Sequence, residues 1–284
     1  MTYLEQVVDD WPAGPVALAL TSASRTLVTL GELDRSFELA SVTKLLSALA
    51  VLVAVEEGTV GLDDLVGPPG ATLAHLLAHA SGLGPEAGPP LARVGARRIY
   101  SNYGFELAAG HVETRSGLAF ADYLAEGVLA PLGLTATALR GSPAHGAVGT
   151  AADLLLVARE LLAPTLLAPE TLRRATSPAF GELDGVLPGF GPQRPCPWGL
   201  GFEIKGAKAP HWTGATNSPR TFGHFGRGGS FLWADPDLGL ALVVLTGIGF
   251  GPWAIDAWPR LADALIARFA DGGWSAGGVE RAGP

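Results

Sequence analysis

Ser41-Val42-Thr43-Lys44 stands at the head of the longest apolar run in the chain, Leu45 to Val55, and sets a hydroxyl and an amine one helical turn apart. Residues three apart on a helix lie on one face, so the two groups are neighbours. A serine oxygen at a helix N-terminus is close to unpaired N–H groups and to the positive end of the dipole, which favour a developing alkoxide or oxyanion. For Lys44 to act as a base, its pKa must fall well below about 10.4 through desolvation or a second cation. An N-capping serine followed by a surface lysine is the competing reading of the same four residues.

On either side of this point the pattern divides the chain. Residues 2–11 form an amphipathic start with Thr2 as N-cap, and two short apolar runs at 15–21 and 26–31 make a hairpin. The Ser41 helix runs to about Glu57, with Gly58 as its C-cap. Residues 60–195 are rich in proline and glycine, with helical pieces near 71–79, 104–116, 119–129, 151–162 and 169–176 and no alternating strands. Strand patterning returns at Trp198–Ile204, Thr221–Phe225, Gly229–Ala234 and Leu240–Leu245, the last two joined by Asp235-Pro236-Asp237. An amphipathic helix follows at about Pro252–Phe269. The expected fold is therefore α+β: an antiparallel sheet of about five strands flanked by helices, assembled from residues 1–58 and 196–270, with an all-helical lobe inserted at 59–195. The Gly-rich tail, 271–284, is expected to pack poorly. The active site belongs between the lobes.

Composition excludes several classes. With 284 residues, the chain can bury roughly three quarters of its unfolded surface. The formal charge of −8 offers no basic stripe for nucleic acid. Cys196 is the one cysteine, so no internal disulfide forms. The apolar run at Leu45–Val55 is too short to span a bilayer, and the acidic start, with Glu5, Asp9 and Asp10, does not read as a secretory signal, so a cytoplasmic location is expected. Oligomeric state is not legible.

Two further segments bear chemistry. Tyr100-Ser101-Asn102 presents a phenol and an amide on alternate residues before a helix, a pairing suited to proton transfer and carbonyl binding, although a capped helix start explains it as well. Gly223-His224-Phe225-Gly226-Arg227-Gly228-Gly229 is a strand whose glycines let a ligand approach the backbone, with His224 either facing that ligand or packed inside.

In this order, S-x-x-K, Y-x-N and H-x-G resemble the serine β-lactamase and penicillin-binding superfamily, and within it the class C β-lactamase-like serine hydrolases, which include family VIII esterases and D-alanyl-D-alanine carboxypeptidases. Phe37-Glu38-Leu39-Ala40, Leu76-Leu77-Ala78-His79-Ala80-Ser81-Gly82-Leu83, Pro131-Leu132-Gly133-Leu134 and Asp235-Pro236-Asp237-Leu238-Gly239-Leu240 look like phrases of the same family, over about residues 12–270. The resemblance implies that Ser41 forms an acyl-enzyme, that Lys44 and Tyr100 share the proton work, and that Asn102 binds the substrate carbonyl and holds Lys44. It further implies that His224 bonds towards Tyr100 or the substrate. The amides of Ser41 and Arg227 would form the oxyanion hole, and Phe225, Gly226 and Gly228 would border the substrate. The implied substrate is a small ester, amide or β-lactam, with no metal and no cofactor. A non-catalytic or slowly deacylating penicillin-binding sensor, or a D-alanyl-D-alanine carboxypeptidase, is the alternative.

Departures shape the expectation. His224 replaces the lysine of many true β-lactamases, weakening any fixed cation for a substrate carboxylate, although Arg227 or Arg220 could supply one. Ser41 and Tyr100 are only 59 residues apart, which suggests trimmed loops. His75 and His79 have the separation of a metal pair, but lack the intervening glutamate and a third ligand. Gly273-Trp274-Ser275-Ala276-Gly277 matches a nucleophile elbow without the strand and helix that an elbow needs. Trp198, Trp212 and Trp233 read as core aromatics before cleft walls.

Overall fold

The computed structural model describes residues 3–269 and 280–281. In chain order, helix α1 (Tyr3–Val8) precedes the hairpin β1 (Val16–Thr21) and β2 (Thr26–Leu30), then β3 (Ser36–Glu38) and a single 3-10 turn, Ala40–Val42, that runs directly into α2 (Thr43–Glu56). The middle contains α3 (Leu73–Leu77), α4 (Asn102–Ser116), α5 (Phe120–Leu124), a π turn at Ala125–Leu129, α6 (Ala130–Leu132), β4 (Ala138–Leu139), β5 (Ala147–Thr150), α7 (Ala151–Leu162), α8 (Pro169–Ala175), β6 (Gly185–Leu187) and β7 (Gly191–Gln193). The remainder is β8 (Glu203–Ile204), β9 (Phe222–Phe225), β10 (Phe231–Asp235), β11 (Leu240–Thr246), α9 (Pro252–Phe269) and β12 (Glu280–Arg281).

The large sheet has the order β12-β2-β1-β11-β10-β9-β8, so the two chain ends meet where β1 pairs with β11, Val16 opposite Thr246. Six strands pair antiparallel; β12 adds to β2 in parallel. β11 is buried along its whole length, as expected of a strand covered on both faces. Its alternate residues divide cleanly. Ala241, Val243 and Leu245 join a core shared with α2 and α7, whereas Leu240, Leu242 and Val244 join one shared with α9. In α9, Trp258, Leu261, Leu265 and Phe269 recur at helical spacing and supply that second core.

Three expectations change. The segment 59–195 is not all-helical: β5 pairs with β3 and β4, and β6 with β7, in two small sheets. Within it, α7 lies against β1, β10 and β11 and so covers the large sheet. The run Trp198–Ile204 forms a strand only at Glu203–Ile204, because Gly201 adopts a φ of +94° and packs so closely on α2 that a Cβ there would lie 2.3 Å from Ala48 Cβ. Finally, the tail contributes β12 to the sheet edge, while the Gly273–Gly277 motif lies outside the described residues.

Candidate active site

α2 begins under the sheet and is buried on all sides from Thr43 to Ala54, so Lys44, at its second residue, has no solvent to carry its charge. Its Nζ donates to Asn102 Oδ1 at 2.7 Å and to the Ala144 carbonyl at 2.8 Å, both uncharged acceptors. Burial therefore pulls its pKa well below the ordinary lysine value, with the Glu106 carboxylate opposing the shift. A neutral amine has two hydrogens, and these two bonds use both, leaving its lone pair to accept a proton.

The residue before Ser41, Ala40, sits in the left-handed region at φ 45°, a conformation costly for alanine that the surrounding packing holds. This turn meets the strand that carries His224. A Cβ on Gly226 would lie 2.8 Å from Leu39 O and 3.2 Å from Ser41 N, so only glycine lets the two backbones come this close. Gly226 and Gly228 thus back onto the turn that carries Ser41, with Glu38 O and Ala40 Cβ the nearest atoms to a Cβ on Gly228. Of the trio expected to border the substrate, Phe225 is the one that lines the cavity.

Ser101 explains why phenol and amide converge. It caps α4, its Oγ accepting from Gly104 N at 2.9 Å and donating to Gly84 O at 2.6 Å, so the flanking Tyr100 and Asn102 turn the same way. The Tyr100 hydroxyl donates to Ser41 Oγ at 2.7 Å. Its ring lies 4.7 Å from Lys44 Nζ, and burial pushes the phenol pKa up, with the Ser41 bond acting in the other direction.

His224 does not bond to Tyr100. Its Nδ1 is 2.6 Å from the Phe225 carbonyl, which accepts only, so Nδ1 carries the proton; Nε2 is buried and has no partner among the described residues. Burial, then Lys44, lowers its pKa to about 3.

Ser41, Tyr100, Asn102, His224 and Arg227 line one cavity of about 340 Å³, closed by Leu187, Pro188 and Gly189 of the β6–β7 turn, by Trp198, by Phe225 and Phe250, and by Glu203. Trp212 and Trp233 are core residues; Trp198 is both buried and a cavity wall. Arg220 is elsewhere, paired with Asp237.

Sequence reading weighed His79 only as half of a metal-spaced pair and as part of a family phrase, and did not single out Glu203 or the β6–β7 turn. His75 and His79 face different neighbours: His75 bonds to Thr72 and stacks on Phe180, whereas His79, at φ 55°, accepts from Ser101 N at 3.1 Å and packs 4.8 Å from the Tyr100 ring. His79 therefore fixes the Tyr100–Asn102 segment. Its place in Leu76–Leu83 was the sequence signal that pointed towards the site, and its spacing from His75 pointed elsewhere. Glu203 accepts from Lys208 Nζ, His211 Nε2 at 2.9 Å and Trp212 Nε1 at 2.8 Å, a buried charged cluster behind the cavity wall.

The fold is that of the serine β-lactamase and penicillin-binding superfamily. Residues 25–265 match the model of the Beta-lactamase family, and the chain belongs to that family. It is 51% identical to a solved β-lactamase from Mycobacterium bovis, with a TM-score of 0.92 over 93% of this chain and 98% of that one. Simvastatin synthase (LovD) of Aspergillus terreus, 19% identical, shares the fold at a TM-score of 0.76 over 94% of this chain and 97% of that one. So does EstCE1, a hydrolase with promiscuous acyltransferase activity, at 18% identity and the same TM-score over 92% and 96%. Penicillin-binding protein 4* of Bacillus subtilis is 31% identical over a stretch covering 36% of this chain and 30% of that protein, so the match spans less than a third of its length. Among the described residues no helix is long and apolar enough to cross a membrane.

Proposed function

We propose that this protein is a serine hydrolase that opens an ester, amide or β-lactam bond through an acyl-enzyme on Ser41. The observation that carries this reading is the buried Lys44, held by two neutral acceptors beside a Tyr100–Ser41 hydrogen bond at the wall of the cavity. For Ser41 Oγ to attack the carbonyl carbon, the Tyr100–Ser41 hydrogen bond reverses: Ser41 passes its proton to the Tyr100 oxygen while the phenol O–H, turned from Ser41 towards Lys44, gives its proton to Nζ. The high phenol pKa disfavours a standing phenolate, whereas the low lysine pKa favours a standing amine, which supports Lys44 as the place where the proton rests. The same proton then returns to the leaving group as the tetrahedral intermediate collapses, and water repeats the sequence to release the acid. The amides of Ser41 and Arg227 take the oxyanion, each such donor worth about 2.7–4 kcal/mol in the transition state.

The stretch shared with penicillin-binding protein 4* supports a second reading, in which Ser41 acylates and deacylation is slow. Intact-protein mass and product release with p-nitrophenyl butyrate and with nitrocefin, on wild type and Ser41→Ala, test both. Steady ester turnover that exceeds nitrocefin turnover and disappears in Ser41→Ala is expected. Undiminished activity in that variant refutes the nucleophile; a persistent adduct without turnover selects the second reading.

A further inference from the structure

Ser47 is the one polar residue in the apolar run Leu45 to Val55, and it is buried. A serine in mid-helix ordinarily bonds back to the carbonyl four residues earlier or turns its hydroxyl to water. This one donates instead to Pro143 O at 2.6 Å, across 96 residues of chain. Ser142 holds the other end of the same peptide group: its Oγ accepts from Ala144 N at 3.2 Å and donates to the Glu106 carboxylate at 2.7 Å. The Pro143–Ala144 peptide therefore has its carbonyl and its N–H each tied to a serine hydroxyl.

The next carbonyl along, Ala144 O, is the one that Lys44 Nζ reaches at 2.8 Å. A peptide group is planar, so once both of its ends are held, only rotation about the two backbone bonds of Ala144 decides where that carbonyl points. The rest of the turn limits this rotation. Gly146 N donates to Ser142 O at 2.7 Å and Ala147 N to Thr43 Oγ1 at 3.1 Å, while Gly146 approaches Gly141 so closely that a Cβ on it would lie 2.5 Å from Gly141 C. α2 thus meets the turn with Thr43, Lys44 and Ser47. α4 meets it with Glu106, one helical turn after Asn102 and on the same face, so the helix that supplies one acceptor of Lys44 also anchors the other. The titratable groups facing Lys44 are Tyr100, His79, His224 and Glu106, and replacing either serine removes none of them.

We infer that Ser47 and Ser142 are positioning residues that fix the Pro143–Ala144 peptide, aim Ala144 O at Lys44 and so orient the amine. The effect on rate rests on the reading of Lys44 as the base; the effect on Lys44 itself rests on the geometry alone. With Ala144 O displaced, the ammonium loses an acceptor, so Lys44 becomes harder to protonate.

An NMR titration of the protein carrying labelled lysine reads this without turnover, because the chain has only Lys44, Lys205 and Lys208, and the Lys44 signal is the one absent from Lys44→Met. In Ser47→Ala and in Ser142→Ala the Lys44 titration is expected to move down by up to about one pH unit, the range of one neutral hydrogen bond. In the same two variants kcat for p-nitrophenyl butyrate is expected to fall roughly fivefold to tenfold while KM holds, and the acid limb of the rate profile to follow the titration. The double variant is expected to add little to the larger single effect, since both hydroxyls hold one peptide. Ser142→Thr, which keeps the hydroxyl at a half-buried position, is expected to match wild type in titration and rate. A purely structural role would lower the thermal midpoint and leave the Lys44 titration in place; that result in both alanine variants overturns the inference, as does a shift equally large in Ser142→Thr. A titration moved by the alanine variants, with no Ser41-dependent ester turnover in the wild type, sinks the hydrolase reading and keeps this inference, whereas turnover with the titration unmoved does the reverse.

Discussion

Lys44 and Lys208 are both buried lysines near one cavity, and they are accommodated in opposite ways. Lys44 is given only neutral acceptors, Asn102 Oδ1 and Ala144 O, while Lys208 is given the Glu203 carboxylate together with Pro197 O. Burial disfavours the ammonium in both places. Lys208 has a carboxylate in contact, yet burial still lowers its pKa to about 7, and the pair lies against the loop that carries Trp198, over whose ring Lys208 sits. Beside an amide and a carbonyl the charge has no carboxylate in contact, and burial pulls the Lys44 pKa well below the ordinary lysine value, with the more distant Glu106 opposing it. A buried lysine is suited to proton transfer, on this contrast, when no acid touches it.

The greatest change expected separates the two lysines by activity. Lys44→Met is expected to lower kcat/KM for a Ser41-dependent ester by roughly a thousandfold while the thermal midpoint holds, since a general base contributes about 10²–10⁴-fold. Comparable loss in Lys208→Met without unfolding would erase the distinction. Next comes stability. Lys208→Met strands Glu203 in the interior and is expected to cost about 3–5 kcal/mol in chemical denaturation, most of it recovered when Glu203→Gln is added. A single variant as stable as wild type would show that the pair is not a brace.

A smaller change converts one lysine towards the other. Asn102→Asp places a carboxylate on Lys44, stabilises the ammonium, and is expected to move the acid limb of kcat/KM up by about one to three pH units. An unmoved limb would mean that Lys44 is not the titrating base. The least concerns acid stability. The folded pKa of His224 is about 3, below that of the unfolded chain, so the unfolded state takes up a proton first and stability falls as pH drops from about 6.5 towards 3. His79 and His211 shift in the same direction. Between pH 6.5 and 5 the His224 share is about 2 kcal/mol, measured as the difference in slope between wild type and His224→Gln. Parallel slopes would contradict a neutral buried ring.

The features legible in the sequence were periodic or local. The apolar strand runs of β10 and β11 and the helical spacing of α9 are visible because they rest on local residue type and backbone period, and Ser101 could cap α4 with nothing beyond its neighbours. Strand period gives out at Trp198–Phe202, where Gly201 bends to meet Ala48, a contact no local pattern encodes. The stretch 151–162 read as helical and was expected in the helical lobe, but the surface that α7 covers, the large sheet, depended on the whole chain. His79 looked like half of a metal pair because spacing cannot reveal that its ring is packed against Tyr100.

Chain order alone carried the succession of S-x-x-K, Y-x-N and H-x-G and the secondary elements that bear them, since both rest on residue identity and short-range geometry. It took the folded arrangement to hold Lys44 between two neutral acceptors, to turn one nitrogen of His224 to Phe225 O and leave the other bare, and to lay Gly226 against Ser41. Those outcomes depend on solvent exclusion and on contacts that join distant segments, some of them a hundred or more residues apart, which a one-dimensional order of residues does not display.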